Sequence, residues 1–81
     1  MENETKFSSK DLYLSCVILA SGHDLIAINK ITNKFVSFEF DISQEKAKRI
    51  IQKHWNRELL LPTRNLIEAI HEIKTRTHAT L

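Results

Sequence analysis

The chain has 81 residues, 42% hydrophobic and 27% charged, with a formal net charge of +2 and single Gly, Pro and Cys residues. That size gives one domain burying roughly 60–65% of its unfolded surface, and the composition excludes a disordered chain. The lone Cys16 excludes an internal disulfide and a thiolate zinc site, and no apolar run approaches the roughly 20 residues of a membrane span.

The acidic start, Met1-Glu2-Asn3-Glu4, lacks the basic region of a secretory signal. These features predict a cytoplasmic protein with no membrane partner. Charge is unevenly spread: residues 1–43 hold four basic and six acidic groups, residues 44–81 eight basic and four acidic. Such asymmetry marks either an anionic partner for the second half or solvated helix faces.

Residues 1–6 are polar and read as a flexible tail, followed by one compact domain over residues 7–78 and a frayed end at 79–81. Ser8 is placed as the cap of a first helix, with Asp11 at the third helical position and Phe7 and Leu12 as a hydrophobic staple. From Leu12 to Ala20 the apolar residues cover more than one face, predicting a helix buried on most sides and ended at Ser21-Gly22. A strand competes for this run, since Val17 and Ile18 are β-branched, but the start and stop signals favour a helix.

A hairpin follows, Leu25 to Ile31 and Phe35 to Phe40, joined by Thr32-Asn33-Lys34 with Asn33 placed to take a positive φ. Val36, Phe38 and Phe40 alternate with Ser37 and Glu39 and form its core face. A second helix starts at Ser43 and runs to Trp55 or Asn56, with Glu45 and Arg49 as a favourable i,i+4 pair. Glu58-Leu59-Leu60-Leu61-Pro62 reads as an extended connection that adds a possible short third strand. A third helix, Thr63 to Thr77, buries Leu66, Ala69, Ile70 and Ile73, and residues from Thr75 onward fray. The order predicts an α+β fold with helices on one face of a small antiparallel sheet.

The second helix carries Lys46, Arg49, Lys53 and Arg57 at spacings of three, four and four. At 3.6 residues per turn they occupy one side within an arc of about 80°. Cations so arranged suit sequence-independent phosphate contacts, DNA or RNA, while the competing reading is an ordinary solvated face. On the third helix Arg64, His71, Lys74 and His78 share a flank, and the two patches merge if the helices pack side by side. A winged helix is not matched, because the hairpin precedes both helices and residues 56–62 separate them. Trp55 either caps the core or, with Leu59, Leu60 and Leu61, forms an association surface for a host protein or a second copy.

No metal site is expected, since His71 and His78 stand about 10.5 Å apart along the helix. No cofactor is expected either: Gly22 is the only glycine, so there is no glycine-rich phosphate loop. Ser15 and Cys16 lie in the buried helix, and Glu39 and Asp41 share a strand face without a pocket between them, so no catalytic residues are assigned.

Lys10-Asp11-Leu12-Tyr13-Leu14 opening an apolar helix that ends at Gly22-His23, the hairpin after it and the closing Leu66 to Lys74 helix resemble a family of small bacterial and phage-associated domains of unknown function. The likeness spans roughly residues 7–75. It implies a stand-alone accessory domain of a phage or mobile element, with no catalytic residues to carry over, and it does not include the basic row.

Overall fold

The computed structural model describes residues 6–81. Its elements are β1 (Lys6–Ser9), α1 (Leu12–Ala20), β2 (Leu25–Lys30), β3 (Val36–Asp41), α2 (Gln44–Trp55) and α3 (Thr63–Thr80). The strands form one antiparallel sheet in the order β1-β3-β2. The fold is thus the expected α+β arrangement, three helices on a three-stranded sheet.

The central strand explains the sheet. Val36, Phe38 and Phe40 of β3 are buried, and the antiparallel register sets Phe40 against Phe7 on one side and Leu25 on the other. Cross-strand neighbours in an antiparallel pair share a face, so these side chains form one apolar surface. The opposite face carries Lys6, Ser8, Ser37, Glu39 and Asp41, and a Lys6–Glu39 ion pair of 3.7 Å spans β1 and β3. An irregular register between Leu25 and Ala27 leaves Ile26 as the extra residue of a bulge on edge strand β2.

The third strand is not where the sequence placed it. Glu58 to Pro62 forms no strand, and the ladder is completed instead by Lys6–Ser9. Pairing there adds Phe7 to the core beside Phe40, which outweighs one more turn of helix after Ser8. The cap of α1 therefore moves from Ser8 to Asp11, whose carboxylate accepts the Leu14 N–H at 2.9 Å. Ser9 holds that cap by accepting the Asp11 N–H and donating to its carbonyl. Of the expected tail, Lys6 belongs to the sheet; residues 1–5 lie outside the described residues.

Ser43 caps α2 as expected, accepting the Lys46 N–H at 3.1 Å. The hairpin turn is held differently from the expectation. Thr32 Oγ1 accepts the Lys34 and Phe35 N–H groups, and Asn33 does not take a positive φ. A threonine hydroxyl bonded to the backbone two and three residues on does the work that a left-handed asparagine would have done. At the other end of the chain, α3 continues to Thr80, beyond the expected fraying point.

The helices lie side by side over the apolar face. Helix α1 is in the middle, apolar all round, with Cys16, Val17 and Ile18 buried. It packs antiparallel to α3: Leu19 and Gly22 meet the Asn65–Glu72 stretch at one end, and Tyr13 meets Lys74 at the other. α2 packs on α1 and β1, α3 on α1 and β2, and α2 and α3 barely touch each other. Ile42, Ala47, Ala69 and Ile73 close the core from the flanking helices and their leads.

Candidate nucleic-acid interface

The buried side of α2 is Ala47, with Ile50 and Ile51 half-buried against the core. That orientation turns Lys46, Arg49 and Lys53 outward together, and all three are exposed. Arg49 is tied to Glu45 at 3.1 Å. Lys46 and Lys53 have no carboxylate partner among the described residues, nor has Lys48 on the other exposed flank of the same helix. Lys48 lies about 200° round the helix from Lys46, which is why it does not stand out as part of the row. From Gln44 to Arg57 the cations Lys46, Lys48, Arg49, Lys53 and Arg57 face one carboxylate, Glu45.

Arg57 departs from the helical row. The helix ends at Trp55, and Arg57 has φ 63. The Arg57 N–H donates to the His54 carbonyl at 3.1 Å and the Glu58 N–H to the Lys53 carbonyl at 2.8 Å. This is a Schellman end, in which a left-handed residue lets the chain satisfy the last carbonyls. Arg57 thus stands just past the row, on backbone that ordinarily takes glycine.

The third helix contributes less than its sequence suggests. Arg64 pairs with Glu68 at 3.0 Å and Arg76 with Glu72 at 3.2 Å. Lys74 lies over the Tyr13 ring, 5.8 Å from its centroid. His71 and His78 are exposed on the same outer side. With α1 between them and packed helices typically 8–10 Å apart, the axes of α2 and α3 are roughly 16–20 Å apart. The two patches therefore do not merge by side-by-side packing.

Trp55 does not cap the core. It is 65% exposed, with the neighbouring His54 ring tilted against it at 5.0 Å. In the connection to α3, Leu61 packs on the core and Leu59 is half-buried, while Leu60 is 90% exposed. The four residues of the expected association surface are thus split between an inward pair and an outward pair. The split follows from topology: a short connection must pass from one side of α1 to the other, and alternate leucines face the core as it goes.

Burial raises the Cys16 thiol above its ordinary value, with lesser contributions from Lys74, which lowers it, and Asp11, which raises it. Buried Ser15 donates its hydroxyl to the Asp11 carbonyl at 2.7 Å. Both side chains serve packing. Among the described residues, no helix is long and apolar enough to cross a membrane. Comparison of the chain with protein-family models, with curated proteins and with solved structures finds no match.

Proposed function

We propose that this is a small non-enzymatic accessory protein that binds nucleic-acid backbone through the exposed basic side of α2. The observation that carries the reading is the local imbalance: four cations of α2 and Arg57 just past its end face one carboxylate, Glu45, and the helix is anchored in the core through Ala47, Ile50 and Ile51. Cations held on a rigid element displace condensed counterions from phosphates, which gives strong, sequence-independent binding at low salt. Arg57 supports the same reading. A strained left-handed position occupied by a long cation, where glycine would be more stable, points to a use for the side chain.

Arg64 and Lys74 of α3 are secondary in this reading, the first neutralised by Glu68 and the second on the far side of α1 from the basic helix. The test is binding of an oligonucleotide at about 50 and about 200 mM salt. Four phosphate contacts predict a loss of about 50-fold or more across that interval. Absence of binding at the lower salt, or binding untouched by Lys53→Glu with Arg57→Glu, overturns the proposal.

A second reading, a phage or mobile-element adaptor that docks on a host protein or a second copy, is favoured by the exposure of two large apolar side chains, Leu60 at 90% and Trp55 at 65%. Its signature is a partner captured after nuclease treatment and lost in Leu60→Ser.

A further inference from the structure

The chain has six aromatic side chains, four Phe, one Trp and one Tyr. Phe38 and Phe40 are buried and Phe7 packs against them. The other three are open to solvent: Tyr13 at 59%, Trp55 at 65% and Phe35 at 67%. Tyr13 and Phe35 each stand beside lysines, Lys74 for the first and Lys10 and Lys34 for the second, that lack a carboxylate partner among the described residues.

Trp55 stands with Lys48 and Gln52, at i, i+4 and i+7, on the exposed flank of α2 that lies about 200° round the helix from Lys53. Tyr13 lies under the Lys74 ammonium. Phe35 borders a shallow groove of about 190 Å³ with Lys10 and Lys34 at its rim and Thr77 among its walls. The Thr77 hydroxyl is buried without a hydrogen-bond partner. Leu12, next to Tyr13 in α1, also lines this groove, and Thr77 follows Lys74 by one helical turn.

An intact duplex offers exposed aromatic rings no free base faces, since its bases cover one another. On a single strand the rings stack the unpaired bases and the ammonium groups meet the phosphates between them. We propose that the polymer recognised is single-stranded, and that Trp55 at the end of the basic helix, and Tyr13 and Phe35 at the α1–hairpin end, stack its bases. This rests on the backbone-binding reading and names its substrate class.

Trp55 is the sole tryptophan, so its fluorescence reports the contact directly. Three probes of equal length separate the possibilities: a single-stranded oligonucleotide, its duplex, and the same strand with its bases removed at the abasic positions. The full chain is expected to bind the single strand at least about tenfold more tightly than the duplex, with quenching that the abasic strand does not produce. Trp55→Ala is expected to weaken single-strand binding by about 5- to 150-fold, the range for one base–aromatic stack. Trp55→Phe should recover part of it, and Tyr13→Ala with Phe35→Ala should weaken it similarly. Equal affinity for all three probes overturns the single-strand assignment and leaves the phosphate contacts standing. Binding to none of them overturns both. Loss in Trp55→Ala without loss in the Tyr13 and Phe35 pair removes the hairpin end from the site.

Discussion

Gly22 and Arg57 take the same left-handed backbone region, φ 98 and φ 63, each just after a helix, and only one of them is suited to it. A Cβ at Gly22 would meet nothing within 4 Å, so Gly22→Ala isolates the backbone term. It should cost about 1–2 kcal/mol in urea unfolding. Arg57→Gly should do the reverse, gaining about 0.5–1 kcal/mol once the greater freedom of glycine in the unfolded chain is deducted. The same change should weaken oligonucleotide binding. A variant more stable and less active would tie the strain to the function. Cys16 offers a test of burial at this scale. Its raised pKa means the folded chain holds a proton that the unfolded chain releases, so stability is constant below the ordinary thiol value of 9.0 and falls as pH rises past it. Its thiol should react with an aromatic disulfide reagent only at the rate of unfolding. Rapid labelling under native conditions would contradict the buried position.

At the scale of elements, the sharpest prediction concerns β1. A strand over Lys6–Ser9 sets Phe7 beside Phe40, where a helix capped at Ser8 would give Phe7 only a staple against Leu12. Phe7→Ala should cost about 1–3 kcal/mol, and Asp11→Ala about 1 kcal/mol through the lost cap, while Ser8→Ala on the outer face stays within about 0.5 kcal/mol. Sensitivity at Ser8 with tolerance at Asp11 would restore the longer helix. The hairpin, α2 and α3 were legible because each carries its own signal: alternation at Val36, Phe38 and Phe40, a cap at Ser43, apolar spacing from Leu66 to Ile73. The N-terminal strand carries none. Lys6-Phe7-Ser8-Ser9 has one apolar residue, and its pairing depends on a neighbour, β3, some thirty residues away in the chain. The leucine run Leu59 to Leu61 gave the opposite error, since its apolar character serves the crossing past α1 and not a ladder. In the site, the outward row Lys46, Arg49 and Lys53 was legible from spacing. The exposure of Trp55 and the left-handed Arg57 follow from where α2 stops and what packs beside it, which spacing does not encode, whereas the ion pairs that neutralise Arg64 and Arg76 obey the same i,i+4 rule as Glu45 and Arg49.

The whole molecule is a thin two-layer slab, 37 × 34 × 18 Å, with one apolar helix sandwiched between two that face solvent. Because α1 takes the centre, the basic helix and α3 stand on opposite flanks of the helix layer, and each must act on its own charge. On the proposed function, phosphate contacts therefore fall to α2 and not to the paired arginines of α3. The most direct measurement is the slope of log affinity against log salt for a single-stranded oligonucleotide, compared across three proteins. The unmodified chain should give about −3 or steeper. Lys46→Glu with Lys53→Glu should flatten the slope by about 1.4, the value for two lost contacts, and Arg64→Glu with Arg76→Glu should change it by less than half as much. A slope near zero in the unmodified chain, or an equal loss from the two pairs of substitutions, would contradict the assignment.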